Sequence, residues 1–179
     1  FAPDTSSAIP LHVIAQDTLD AWLSNQPETT QRWVTAQPFT GAIGQTLSIP
    51  GLDGTIDAAL IGYGTPGTRA RGRFHLAAGA AKLPAGSYRI TSGLPATAAP
   101  QEALGWLLAA YRFDRYATQS PLTAQLIAPE VVDATRIQAL ATGETLTRDL
   151  INTPASDMGP PDLEQAARTL EGLEIALSW

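Results

Sequence analysis

A glycine-rich run at residues 62–67 comes nearest to a ligand-binding motif in this sequence. Gly62, Gly64 and Gly67 follow an apolar segment typical of a buried strand, and the backbone amides of such a loop can cradle a phosphate. The spacing is not G-x-G-x-x-G leading into a helix, however, because Pro66 and Gly67 prolong the loop, and no acidic partner for a ribose is evident downstream. We favour a turn at the end of a strand and keep a loop that binds a nucleotide derivative as the alternative.

The titratable side chains do not form the groupings that catalysis requires. His12 and His75 are the only histidines and there is no cysteine, so neither a zinc site nor a cysteine nucleophile is supported. The acidic residues are scattered singly, whereas a two-metal centre needs several converging carboxylates. Asp149 and Asp157 fit capping or surface roles better. The sequence therefore predicts no catalytic and no metal-binding residue in this segment.

Arg148, Asp149, Asn152 and Pro154 mark a candidate domain junction. They lie where a predicted helix meets residues 153–161, which contain three prolines and a glycine and are expected to break the helix. Arg148 can either favour the helix C-terminus or tie two domains together through a bidentate carboxylate pair. Asn152 is expected to cap the helix or turn the chain. A domain boundary is predicted here.

Composition and charge narrow the class of protein. The 179 residues, 44% hydrophobic and 16% charged, can bury one sizeable core and are too polar for a membrane protein. Eleven Lys and Arg against 17 Asp and Glu give a formal net charge of −6, which argues against nucleic acid as a partner. The absence of cysteine is compatible with a reducing cytoplasm. The start at Phe1 and a strand-like end at residues 174–179 predict a piece cut from a longer protein.

Strands alternate with helices along the chain. Strands are predicted at residues 11–15, 46–50, 56–63, 88–91 and 125–129, with another beginning at 174–179. Helices are predicted at residues 18–24 with Asp17 as cap, 29–37, 72–83, 101–116, from Asp133 to at least Leu150, and 162–170. Trp22 and Trp33 are expected to share one small cluster. Because parallel neighbours need crossover helices, the order predicts an α/β fold with a mixed, mostly parallel sheet flanked by helices.

Two segments resemble the leucyl aminopeptidase (cytosol aminopeptidase) family of metallopeptidases. Residues 147–163, which include Arg148, Asp149, Asn152 and Pro154, are similar to the junction that follows the first domain in that family. Residues 105–116 are similar to a first-domain helix that ends in an aromatic-x-Phe-x-x-Tyr pattern. The two segments occur in the family's order. The chain is thus identified as a member of this family, with the amino-terminal domain and the start of the linker.

The resemblance implies a fold, an activity and partners. Residues 1–132 would form a macro-domain-like α/β domain, residues 133–153 a long linker helix, and residues 154–179 the start of a catalytic domain that is absent here. The full-length protein would be a cytoplasmic, metal-dependent aminopeptidase acting on peptides, with two zinc or manganese ions in the missing domain, assembled as a homo-oligomer, a hexamer. This segment would serve assembly and active-site access and be inactive alone. The alternative is a stand-alone macro-like module that binds a nucleotide derivative.

Overall fold

The computed structural model describes residues 1–4 and 7–172, so the strand expected at residues 174–179 lies outside the described residues. The strands of its sheet are β1 (Ile9–Ala15), β2 (Thr46–Pro50), β3 (Ile56–Gly64), β4 (Gly86–Ser92) and β5 (Ala124–Leu126). Their order across the sheet is β2-β3-β1-β4-β5. The hairpin pair β2–β3 is antiparallel, and the pairs β1–β3, β1–β4 and β4–β5 are parallel. The predicted mixed, mostly parallel sheet is confirmed.

Helices cover both faces of this sheet. They are α1 (Leu19–Leu23), α2 (Glu28–Thr35), α3 (Pro66–Arg69), α4 (Ala77–Ala80), α5 (Ala99–Ala109), α6 (Ala134–Asn152) and α7 (Pro160–Arg168). Leu11 and Val13 of β1 point to the face that packs against α4, α5 and the first half of α6. Ile14 of the same strand points to the opposite face, which α1 and α2 cover. Successive side chains of a strand alternate between faces, and so the sheet separates two hydrophobic cores.

The apolar strand predicted at residues 56–63 is β3, and it is buried on both faces. It lies between β2 and β1, and Ala59, Leu60 and Ile61 are fully buried. Ala59 and Ile61 belong to one core and Leu60 to the other. The lack of polar alternation in the sequence follows from this position, because a strand covered on both sides has no solvent-facing row.

The prediction of a single helix at residues 72–83 is wrong. Only α4 is helical there, and it is preceded by Phe74 with φ 59°, a left-handed conformation that is uncommon outside glycine. The Phe74 side chain packs where a side chain on Gly105 of α5 would otherwise lie. This turn places His75 in the interior with 8% of its surface exposed. Tertiary packing here overrides the helix propensity of an alanine-rich stretch.

The helix predicted at residues 101–116 is too long. Helix α5 ends at Ala109, and residues 111–116 follow as an irregular segment. The Arg112 guanidinium donates to the carbonyl oxygens of Ala109 (2.9 Å) and Tyr111 (2.7 Å). These bonds satisfy acceptors that a continuing helix would have used.

Two expectations near the chain start are also wrong. Asp17 lies within a 3₁₀ turn at Gln16–Thr18, and neither this turn nor α1 has a side-chain cap. Trp22 packs against the core that contains Val34, but Trp33 is 39% exposed. Its indole N–H instead donates to the carbonyl of Ser48 on the edge strand β2 (3.0 Å).

Helix α6 begins as predicted. The Asp133 carboxylate accepts the backbone N–H of Arg136 (2.9 Å), the usual N-cap bond. Ile137 and Ala141 are buried against the core, so the first half of α6 belongs to the sheet domain.

The start of the chain covers the sheet edge formed by β5, since the N–H of Ala2 donates to the carbonyl of Leu126 (2.9 Å). Among the described residues, every helix is too short or too polar to cross a lipid bilayer.

Candidate functional site

The glycine-rich run forms the end of β3 and the start of α3. The N–H of Gly62 donates to the carbonyl of Gln45 (2.9 Å), and the N–H of Gly64 donates to that of Gly41 (2.8 Å). Gly67 lies within α3. Amides that cradle a phosphate must be free to donate to it, and those of Gly62 and Gly64 are already used inside the protein.

Close packing explains the glycine at the start of this run. A Cβ added to Gly62 would lie 2.0 Å from the carbonyl oxygen of Ala42, a distance at which the backbone would have to shift. At Gly67 the nearest atom would be the hydroxyl of Thr65 at 3.8 Å, an ordinary contact. Gly62 is therefore required by the neighbouring segment rather than by a ligand.

A buried polar cluster, which we call the Glu102 cluster, lies beside this run. Glu102 on α5 is 1% exposed, and its Oε1 lies 2.8 Å from Nδ1 of His75. Its Oε2 accepts the N–H of Leu76 (2.9 Å). The second ring nitrogen of His75 lies 3.0 Å from the carbonyl of Arg69, and the Tyr63 hydroxyl lies 3.5 Å from Oε1 of Glu102.

Each partner in the Glu102 cluster faces a complementary group. Both ring nitrogens of His75 lie within hydrogen-bonding distance of an oxygen atom, Oε1 of Glu102 and the carbonyl of Arg69. Burial first, and then the charge of Glu102, raises the pKa of Tyr63, which therefore keeps its proton. In the described part of the chain, no buried side-chain nitrogen or oxygen lacks a partner. The cluster ties the irregular segment before α4 to α5, which is a structural role.

Sequence reasoning did not single out Glu102. The signal was present, because Glu102 shares the inward face of α5 with Ala99, Ala103 and Trp106, and a charged residue on a buried face requires a partner.

His12 lies apart from the Glu102 cluster. Its Nδ1 is 2.8 Å from the hydroxyl of Ser92, and its ring lies 5.2 Å from that of Trp22, centroid to centroid. Burial lowers the pKa of His12. Trp22 packs on the α1–α2 face and Tyr63, the neighbour of His75, on the other. The two histidines are therefore on opposite faces of the sheet.

The acidic and histidine side chains do not fit a metal centre. Within residues 1–4 and 7–172, no three side chains of His, Cys, Asp or Glu come together in a way that could hold a metal ion. A two-metal centre needs several shared ligands. The described residues thus do not fit the divalent ions that the resemblance implies for the full-length protein.

Three of the predicted junction residues converge on one tyrosine. The Tyr111 hydroxyl donates to Oδ1 of Asp149 (2.7 Å) and accepts from Nδ2 of Asn152 (3.1 Å). The guanidinium carbon of Arg148 lies 5.5 Å from the centroid of the Tyr111 ring, within the range of a cation–π contact. The end of α6 is bonded in this way to the segment that follows α5.

A second tyrosine makes a similar contact five residues later. The Tyr116 hydroxyl donates to Oδ2 of Asp157 (2.5 Å), a bond that lowers the pKa of Asp157 and raises that of Tyr116. The Arg115 guanidinium lies 3.4 Å from the hydroxyl of Thr153. Pro154 begins a turn in which its carbonyl accepts the N–H of Asp157 (2.9 Å). We call the pairs Tyr111–Asp149 and Tyr116–Asp157 the tyrosine clamp.

Arg148 and Asn152 differ in detail from what the sequence indicated. The carboxylate partner of Arg148 is Glu144, one turn earlier on the same helix (3.0 Å), so the described contacts of Arg148 include no bidentate pair with another domain. Asn152 is the last residue of α6, and its side chain reaches Tyr111 rather than capping the helix. The use of these four residues as a domain junction stays a prediction.

Sequence reasoning missed the part played by Tyr111 and Tyr116. The signal lay in the two segments that carry the family resemblance, residues 105–116 and 147–163, since these are the segments that the clamp joins.

Fold and site together define an α/β domain whose last long helix is bonded back onto the segment after α5. The sequence pattern described as "M17 aminopeptidase, N-terminal domain" matches residues 9–129. The chain belongs to the M17 aminopeptidase family, as its N-terminal domain.

Curated relatives agree with this assignment. A probable cytosol aminopeptidase of Brucella anthropi is 32% identical over 174 residues, covering 84% of this chain and 35% of the relative. A probable cytosol aminopeptidase of Rhizobium rhizogenes is 36% identical over 93 residues, covering 44% of this chain and 19% of the relative.

Solved structures show the same fold. The cytosol aminopeptidase from Coxiella burnetii matches with a TM-score of 0.82 and 30% identity over 94% of this chain and 36% of that one. The bottromycin maturation enzyme BotP in complex with Mn matches with a TM-score of 0.62 and 25% identity over 93% of this chain and 36% of that one. The chain spans about a third of the length of the Brucella and Coxiella proteins.

Proposed function

We propose that the full-length protein is a metal-dependent aminopeptidase that releases N-terminal amino acids from peptides, and that this chain is its non-catalytic domain. The observation that carries the proposal is the match to the Coxiella burnetii enzyme, which covers 94% of this chain but 36% of that protein. In this proposal, the catalytic and metal-binding residues lie in the part of the full-length protein beyond this chain. Residues 1–132 are proposed as the domain proper, residues 133–153 as the linker helix, and residues 154–179 as the start of the catalytic domain.

The divalent ions, zinc or manganese, are proposed to be held by residues beyond this chain. The BotP complex with Mn supports a metal in this family, and the described residues offer no metal-binding group. No step of hydrolysis is assigned to a residue of this domain, which is expected to be inactive alone.

The domain itself is proposed to serve assembly and access to the active site. Large apolar side chains on α6 and α7 are exposed, including Leu140 (46%), Ile151 (77%) and Leu163 (51%). Such side chains fit contacts with the protein's own catalytic domain and with other copies in a homo-oligomer, proposed as a hexamer. The names of the relatives support a cytoplasmic location, and the net charge of −6 disfavours nucleic acid as a partner.

A stand-alone module that binds a nucleotide derivative is not supported. The comparisons identify an aminopeptidase domain, and the amides of Gly62 and Gly64 that would hold a phosphate are bonded within the protein.

The test is hydrolysis of leucine p-nitroanilide by the full-length protein. After treatment with a chelator, the protein is expected to be inactive and to regain activity with Mn²⁺ or Zn²⁺. The matched control is this 179-residue chain with the same metals, which is expected to show no hydrolysis. Activity of the full-length protein without metal, or hydrolysis by this chain alone, would contradict the proposal. Saturable binding of ADP-ribose by this chain would favour the alternative.

A further inference from the structure

The tyrosine clamp lies at the point where the chain leaves the domain. Asp149 is in the last turn of α6 and Asp157 lies in the turn beyond it, so the two acceptors lie on either side of the helix end. Their donors, Tyr111 and Tyr116, come from the segment after α5. Two bonds on either side of a helix end restrict how the following chain can swing.

The direction of the chain changes at Thr153, which lies in sequence between Asp149 and Asp157, the two acceptors of the tyrosine clamp. Thr153 has φ −81° and ψ 123°, an extended conformation that ends the helix. It is 8% exposed, and its hydroxyl donates to the carbonyl of Asp149 (2.7 Å). Arg115, between the two tyrosines, approaches the same hydroxyl (3.4 Å). The residue at which the chain turns is therefore held from both sides.

The segment that carries the tyrosines is itself braced. Gln119 donates from its backbone to Asp114 (3.0 Å) and from its side chain to the carbonyl of Phe113 (3.0 Å). The ring of Phe113 lies 5.7 Å from that of Tyr116, centroid to centroid. Although this segment is neither helix nor strand, these bonds give the tyrosines a fixed support.

Both clamp bonds join a hydroxyl to a carboxylate. Hydrogen bonds to an ionised acceptor are stronger than neutral ones. The pKa of Tyr111 is raised, by burial first and by its bond to Asp149 second, and the pKa of Asp157 is lowered by its bond to Tyr116. The raised pKa of Tyr111 and that of Tyr116 keep the protons on both hydroxyls, which therefore remain donors to Asp149 and Asp157.

We propose that Tyr111 and Tyr116 are positioning residues, which fix the direction of the chain after α6 and thereby set where the catalytic domain sits relative to this one. The inference rests on the proposed function, because it requires a catalytic domain after the junction. Its consequence is that both tyrosines affect the access of peptides to the active site.

The test compares the full-length protein with its Tyr111→Phe/Tyr116→Phe variant, which keeps both rings and loses both hydroxyls. Hydrogen exchange at residues 153–159 is expected to be about tenfold faster in the variant, because the junction opens more often. For a hexapeptide, kcat/KM is expected to fall by about tenfold through misplacement of the two domains. For leucine p-nitroanilide it is expected to change little, since a small substrate depends less on access.

The matched control is Tyr88→Phe, which removes a hydroxyl bonded to the carbonyl of Pro84 (2.8 Å) in the core, away from the junction. This variant is expected to lower Tm without changing exchange at residues 153–159. Unchanged exchange in the double variant, or an equal fall for both substrates, would overturn the inference. A wild-type protein that hydrolyses neither substrate would contradict the proposed function, whereas the exchange comparison would still decide whether the clamp holds the junction.

Discussion

Oε1 of Glu102 lies 2.8 Å from Nδ1 of His75, and both side chains are buried in the interior. Glu102 is 1% exposed and its second oxygen accepts the N–H of Leu76. One carboxylate thus fixes both the side chain and the backbone of a segment that has no regular structure of its own.

Removal of the Glu102 carboxylate is expected to destabilise the fold strongly. Glu102→Leu leaves Nδ1 of His75 and the N–H of Leu76 without their carboxylate partner in the interior, at a cost of about 2–5 kcal/mol for two unsatisfied buried groups. Glu102→Gln is expected to cost less, because its amide oxygen can still accept the N–H of Leu76 and a polar group remains beside Nδ1 of His75. Urea unfolding measures both. If the leucine variant lost no more unfolding free energy than the glutamine variant, the structural role of the Glu102–His75 pair would be contradicted.

Substitution by alanine is expected to affect stability differently at Gly62 and at Gly67. Gly62→Ala places a Cβ 2.0 Å from the carbonyl oxygen of Ala42, and the free energy of unfolding should fall by about 3 kcal/mol through overpacking. Gly67→Ala meets nothing closer than 3.8 Å and should be neutral or stabilise by about 0.5 kcal/mol. Thermal unfolding of the two variants is the measurement. Equal effects would show that contact with residues 41–43 does not explain the glycine.

The cap of α6 is expected to contribute measurably to stability. Asp133→Ala removes the acceptor of the Arg136 N–H and should lower the free energy of unfolding by about 1 kcal/mol. Asp17→Ala is the matched control, since Asp17 makes no cap bond, and it should change stability by less than about 0.5 kcal/mol. Chemical denaturation distinguishes the two. If Asp17→Ala proved the more costly, the assignment of the caps would be wrong.

Stability is expected to fall as the pH drops through the titration range of His12. Burial lowers the pKa of His12 from its ordinary value of 6.5, so the unfolded chain takes up a proton at a higher pH than the folded one. The stabilisation from the neutral ring is therefore complete above about pH 6.5 and is lost as the pH falls toward the folded pKa. Unfolding free energies at pH 7.5 and 5.5 should differ more for the wild type than for His12→Asn. An equal difference in both proteins would show that His12 titrates normally.

The parts of the fold that the sequence predicted are those with strong local signals. The strands predicted at residues 46–50 and 56–63 are the paired strands β2 and β3, and α6 begins at the predicted Asp133. Residues 72–83 have equally clear helix propensity, but the backbone of Phe74 turns left-handed so that its ring can pack on Gly105. That contact joins residues far apart in sequence, which local patterns do not encode.

The sequence singled out Arg148, Asp149 and Asn152 as junction residues, but it did not predict the bonds that they make. Arg148, Asp149 and Asn152 were found because they precede a proline-rich break, and the structure brings all three to Tyr111. The partner could not be read from the sequence, since residues 111–116 continue the apolar pattern of α5 and were interpreted as helix. Only the three-dimensional path of the chain shows that these tyrosines turn toward the end of α6.

The occupied edges of the sheet restrict how copies of this chain can associate. At one edge, the indole of Trp33 donates to the carbonyl of Ser48 on β2, and Pro50 at the end of that strand has no N–H to donate. At the other edge, Ala2 pairs with the chain at the end of β5. A second molecule that added a strand at Ser48 would first have to displace the indole, so growth by cross-strand pairing, the route to fibrillar aggregates, is opposed. Association through side chains of helices and loops meets neither obstacle, and single substitutions can disrupt such contacts without unfolding the sheet.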